Sequence, residues 1–244
     1  MTHHIILKDI PKSKVQIDLW PFDIQGGFRG FQKVHEGLHY IATWLHDKPV
    51  GMWCYVSDKP IISGFDWNIP GFVDLDSESE QFIRPLAESG AMDTKLISYP
   101  DLAAIQWKQL TCYIHESNYH ELLDKIPPIA LDIETEDTIL AHFQMAFLKI
   151  IVMPEAFLNP TDWNNWNDWI SAVYEVCNDV AIAKSDIICQ MIDLLILQQK
   201  IIPPAYTQKL KALSDAAMRF INRLIETKVT KLSIKANHYR FFLF

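Results

Sequence analysis

The chain has 244 residues, 49% of them apolar, with 22 basic against 30 acidic side chains for a net charge of −8. That is enough apolar material for one large domain or two ordinary ones, and the acidic balance argues against general nucleic-acid affinity, which needs clustered Lys and Arg. A protein partner is expected instead. The four cysteines, Cys54, Cys112, Cys177 and Cys189, form no C-x-x-C pair and read as reduced, buried thiols of an intracellular protein. Residues 1–7 have neither the charged start nor the apolar length of a signal peptide. The most apolar run, 187–202, is broken by Gln190, Asp193, Gln198, Gln199 and Lys200, so no membrane span is expected and the location is expected to be cytoplasmic and/or nuclear.

All eight glycines lie between Gly26 and Gly90. This asymmetry predicts an α+β protein: a β-rich N-terminal domain over 1–126, a meander or sandwich with flanking helices, followed by an all-α domain over 127–244 with an apolar tail. In chain order, 5–7 and 14–20 read as strands, with Val15, Ile17 and Leu19 alternating against Gln16 and Asp18. Residues 38–45, 50–57 and 60–67 continue as strands joined by short polar turns. Trp20, Trp44, Trp53 and Trp67 read as core of this meander.

Asp74, Asp76, Glu78 and Glu80 precede Phe82 and Ile83, an acidic first turn that predicts a helix start. The run lacks the glycine and closing glutamate of a calcium loop. Residues 100–116 and 118–126 are predicted as further helices. Ile126-Pro127-Pro128-Ile129 forbids one and sets the expected domain boundary. Beyond it, 135–152, 161–183, 185–199 and 204–227 are predicted helices, each opening on a capping or first-turn residue.

Trp163, Trp166 and Trp169 recur every three residues, which suits a helix packing face or a protein-binding ridge, with core the simpler reading. The chain ends Arg240-Phe241-Phe242-Leu243-Phe244. Such a tail packs on its own body or adds to a partner as a strand. The candidate partner-binding residues are therefore Trp163, Trp166, Arg240, Phe241 and Phe242.

The stretch from Gly26 to Ile41 holds four of the glycines and contains His35-Glu36-Gly37-Leu38-His39, a literal H-E-x-x-H, in which Glu36 would be the base of a zinc peptidase with His35 and His39 as ligands. On a helix the two histidines would stand roughly 6 Å apart at Cβ. On a straight strand they would stand about 13 Å apart, too far to share an ion with nitrogens about 2 Å away. The glycines and the β-rich residues after them predict a hairpin ending in a buried histidine, hence no metal, no cofactor and no catalytic set.

Ile10-Pro11-Lys12, Ile17-Asp18, the motif Gly26, Phe28-Arg29-Gly30 and Gly37-Leu38-His39-Tyr40 together resemble the opening signature of the AAR-two splicing-factor family. His35-Glu36 stands where that family usually carries a proline pair. The likeness runs on through Gly51-Met52-Trp53, Trp67, Val73-Asp74-Leu75, Tyr99-Pro100 to Trp107, and Tyr113-Ile114. It resumes at Phe143-Gln144-Met145-Ala146-Phe147, at 166–173, and at Ile202-Pro203 and Tyr206. The resemblance implies a VHS-like helical domain and a non-enzymatic role. It implies as partner the large core protein of the U-five small nuclear ribonucleoprotein, held during assembly until a helicase replaces the factor.

Overall fold

A computed structural model describes residues 3–12, 14–24, 26–124 and 135–243, apart from the side chains of Ala205 and Lys209. The chain divides into two compact units, Met1–Tyr119 and His120–Phe244, the first β-rich and the second helical. The expected boundary at 126–129 and the terminal Phe244 lie outside the described residues. Among the described residues no helix is long and apolar enough to cross a membrane.

The first unit runs β1 (His3–Lys8), β2 (Lys14–Ile17), β3 (Trp20–Asp23), β4 (Gly30–Val34), β5 (Gly37–Leu45), β6 (Lys48–Val56), β7 (Ile61–Asp66), β8 (Gly71–Asp74), α1 (Ser77–Glu88), β9 (Leu96–Ser98) and α2 (Asp101–Leu110). The strands form two sheets, ordered β8-β7-β1-β4-β9 and β3-β2-β5-β6. The second sheet is antiparallel throughout. The first departs from a meander, because β1 pairs parallel with β7 and β4 pairs parallel with β9. Turn residues signal hairpins, whereas a parallel pair is closed by a long crossover that leaves no local mark.

Alternation along β1 sets the layers. Ile5 and Leu7 enter the core between the sheets with Val15, Ile17, Phe31, Ile41 and Val56, while Ile6 turns the other way to meet Ala87, Ile83 and Leu96. Helix α1 therefore covers the outer face of the first sheet. It starts where the acidic run predicts, on Asp76, whose carboxylate accepts a hydrogen bond from the Ser79 N–H at 2.8 Å. The predicted tryptophan core holds in part, since Trp20 packs against the core between the sheets. Trp20, Trp44 and Trp53 are half-buried and Trp67 is 54% exposed; the fully buried indole is Trp107 of α2. The thiols are corrected too, since Cys54 is buried, Cys189 half-buried, and Cys112 and Cys177 exposed.

The helices that follow are α3 (Tyr119–Asp124), α4 (Glu136–Ile151), α5 (Pro160–Glu175), α6 (Asn178–Ala183), α7 (Ser185–Ile201), α8 (Pro204–Lys211), α9 (Ser214–Glu226) and α10 (Thr230–Arg240). Thr135 and Asn159 cap α4 and α5 through their side chains. The single helix expected over 161–183 is two, because Val176 and Cys177 are extended. The one expected over 204–227 breaks at Ala212 and Leu213. Neither break holds a glycine or proline. Helix α7 packs against α4, α6 and α10 and buries Ile187, Ile188, Met191, Ile192 and Leu195. Helix α10 leads into the predicted tail and ends at Arg240; its Leu232, Ala236 and Tyr239 recur at helical spacing and are completely buried.

Candidate functional site

The glycine-rich segment is a corner between sheets and not a hairpin, since β4 lies in one sheet and β5 in the other. Gly30 faces Ile6 across the β1–β4 pairing. It adopts φ +137°, and a Cβ there would fall 1.9 Å from the Ile5 carbonyl oxygen, so glycine alone fits. Gly37, at φ +132°, opens β5, and the chain turns at His35 and Glu36. The turn swings His35 and His39 together, with ring centroids 4.6 Å apart. The straight-strand estimate of about 13 Å fails because these residues bridge a bend.

His39 has no exposed surface. Its Nδ1 lies 2.9 Å from Asp18 Oδ2, and its Nε2 lies 2.9 Å from the His35 carbonyl oxygen. Both nitrogens are thus engaged by neighbouring oxygens, and the Asp18 carboxyl group is as fully buried as the ring. Asp18 takes φ 54° just past the end of β2. Its Oδ1 accepts the Tyr40 N–H at 2.9 Å, and its Oδ2 accepts the Tyr99 hydroxyl at 2.5 Å. Burial, then the Asp18 charge, pushes the Tyr99 phenol far up. Burial and the same charge push up the Cys54 thiol, which faces His39 across the β5–β6 pairing. Nearby, Trp107 Nε1 donates to the Leu38 carbonyl at 2.6 Å. The cluster thus ties the tip of β2, the start of β5, the residue after β9 and helix α2 into one clasp across both sheets.

Asp18 and His39 supply two members of a Ser-His-Asp relay, yet Nε2 meets a backbone carbonyl where a nucleophile would have to stand. The geometry also differs from the helical one that the zinc-peptidase alternative calls for. His35, Glu36 and His39 lie on a bend and a strand, not on a helix, and both nitrogens of His39 are committed. His35 is held neutral, its pKa lowered to about 3 by burial first and then by His39, Lys108 and His3. Its Nδ1 has no hydrogen-bond partner, and Glu36 faces solvent. Among the described residues no three His, Cys, Asp or Glu side chains converge as a metal site.

The proposed partner contacts separate. Trp166 is corrected: it is 1% exposed, its Nε1 donating to Gln198 at 3.0 Å, and no partner can reach it. Trp163 is half-buried and stacks on Tyr206 with centroids 5.2 Å apart. Phe242 turns back, with the Lys200 ammonium 4.8 Å from its ring centre. Arg240 is exposed and Phe241 is 82% exposed. Sequence reasoning found the buried His39 and quoted Asp18 and Tyr99 in the family resemblance, but it gave neither a part in the cluster, since Asp18 read as the polar face of a strand and Tyr99 as a tyrosine before a proline.

Two interlocked sheets bolted by a sealed polar clasp, followed by a helical unit, define a scaffold class of protein in which the buried ionisable groups hold the fold. Residues 1–128 match the family described as the AAR2 N-terminal domain. The chain belongs to the AAR2 family, non-enzymatic assembly factors of the splicing machinery that work on a protein partner. Of the residues that the sequence resemblance singled out (Gly26, Phe28, Arg29, Gly30, Gly37 and His39), Gly30 and Gly37 shape the corner and His39 sits in its clasp. Comparison with curated proteins gives no match.

Proposed function

We propose that the protein is a chaperone of U-five small nuclear ribonucleoprotein assembly that binds the large core protein of that particle and acts in the cytoplasm and/or nucleus. The supporting observation is the AAR2 N-terminal match over 1–128, lying on a domain whose histidine, aspartate and tyrosine cluster is walled off from substrate. A VHS-like helical domain over 127–244 completes the reading. The exposed Arg240 and Phe241 at the end of α10, with the half-buried Trp163, are proposed as partner contacts.

Affinity purification of the tagged chain from its source cells, followed by mass spectrometry, tests this. The large core spliceosomal protein is expected among the stoichiometric partners, and its recovery is expected to fall with Phe241→Ala. Recovery of no spliceosomal protein would sink the proposal.

A further inference from the structure

A groove of about 710 Å³ lies in the first unit between β1, α1 and the segment before β9. Its walls are apolar: Ile6, 1% exposed, forms part of the floor, while Phe82 and Leu86 of α1 stand 73% and 37% exposed. An exposed phenylalanine one helical turn from an exposed leucine, bordering a cavity of ligand size, is an anchor site for an apolar side chain. The packing face of α1 does not need either residue, because Ile83 and Ala87 already cover Ile6.

The groove's charges run against those of the chain. With a net charge of −8, the protein nonetheless places Lys8, Arg29 and Lys95 around this groove against Asp9 and Glu78. A backbone hydrogen bond from Arg29 N–H to the Lys95 carbonyl, 3.0 Å, sets two of these cations side by side. Both are exposed. The Arg29 guanidinium donates to its neighbour's carbonyl, Phe28 O, at 3.1 Å, which leaves most of its five donors open. Lys8 donates only to a neutral hydroxyl, Ser79 Oγ at 3.2 Å. None of the three cations is within ion-pair distance of a carboxylate among the described residues.

We infer that this groove binds a short acidic segment of a partner protein, seating one aromatic or leucine side chain against Phe82 and Leu86 while carboxylates on either side meet Arg29, Lys95 and Lys8. Guanidinium and ammonium groups bind carboxylates by charge-assisted hydrogen bonds, and the apolar floor supplies burial that such ion pairs alone lack. A nucleic-acid strand fits poorly, since three cations offset by two carboxylates do not make a phosphate track. The inference rests on the protein-binding reading above and assigns it a surface.

A peptide-display library selected on the full-length protein tests it, with the best peptide then synthesised, fluorescently labelled and titrated by anisotropy. Selected peptides are expected to carry Asp or Glu around one Phe, Trp, Tyr or Leu. The affinity is expected to fall about tenfold or more in Lys95→Glu and in Phe82→Ser, and to weaken steadily as salt rises. Both side chains are exposed, so thermal unfolding should not move, which separates lost contact from lost fold. Peptides without acidic character, affinity unchanged in both variants, or tighter binding of a labelled oligouridylate with the same sensitivity to Lys95→Glu would overturn it. Affinity purification with Lys95→Glu keeps the two readings apart. If the spliceosomal partner is recovered equally by parent and variant, the groove inference fails and the assembly reading stands. If acidic peptides occupy the groove but the parent recovers no spliceosomal protein, the assembly reading fails and the groove stands.

Discussion

In the β unit a carboxylate and an imidazole without exposed surface face each other across 2.9 Å, whereas in the helical unit the comparable buried contacts join neutral groups. There Trp166 donates to Gln198, and the Tyr174 and Tyr239 hydroxyls share a hydrogen bond of 2.5 Å that Gln199 extends. The difference follows from what each unit must specify. Helices satisfy their own backbones and meet through apolar stripes, so a few neutral hydrogen bonds suffice to fix one helix against the next. Two sheets joined at a corner have no such internal guide. The Asp18 carboxylate supplies it by gathering the Tyr40 N–H, the Tyr99 hydroxyl and His39 at one point. A charged clasp is also brittle, because removal of either partner strands the other charge in the interior.

The largest effect is therefore expected at Asp18. Asp18→Ala should lower the stability of the β unit by about 3–5 kcal/mol, read from urea unfolding with hydrogen exchange locating the loss. Asp18→Asn should recover part of it, since asparagine tolerates the positive φ and its side-chain amide can hydrogen-bond Nδ1 of His39. Equal loss in both variants would mean that packing, not the charge pair, holds the corner. Tyr239→Phe is the counterpart in the helical unit. It strands a Tyr174 hydroxyl whose pKa burial already pushes up to about 12, and should cost about 1–3 kcal/mol, with exchange rising in α5 and α10 and not in the sheets. Should Tyr239→Phe cost as much as Asp18→Ala, the contrast between charged and neutral fastening would fall.

The same contrast decides how much could be read in advance. Thr135 and Asp76 announced their helices because a cap is a local act, and the α4 and α7 patterns needed no distant partner. The break after Glu175 was silent, since Val176 and Cys177 extend without glycine or proline. Helix α10 was legible in the spacing of Leu232, Ala236 and Tyr239 and was obscured by the phenylalanines after it. In the β unit, the pairing of β1 with β7 joins Ile5 to Ile61 across the whole second sheet, a register fixed only by tertiary packing. The clasp was half-legible. A histidine followed by β-formers was recognisable as buried, but Asp18 and Tyr99 converge on it from 21 residues before and 60 after, and no spacing rule connects them.

The smallest effect at neutral pH is expected at His35, and it grows on acidification. Its ring lies against His39 and Tyr99, with centroids 4.6 Å and 5.3 Å away, and its pKa is lowered to about 3 by burial and by the charges of His39, Lys108 and His3. In the unfolded chain the same imidazole takes a proton near pH 6.5. Between those values the unfolded state binds more protons than the folded one, so stability rises with pH through the window. The contribution is complete above about pH 6.5 and is lost as the pH falls toward 3. His35→Gln removes the proton site, so parent and variant should unfold alike in urea at pH 7.5 after allowing for a constant packing offset. The parent should then lose stability more steeply between pH 6.5 and 4.5. Parallel curves across that range would show that the corner accommodates an imidazolium at His35 and that its burial does not hold the ring neutral.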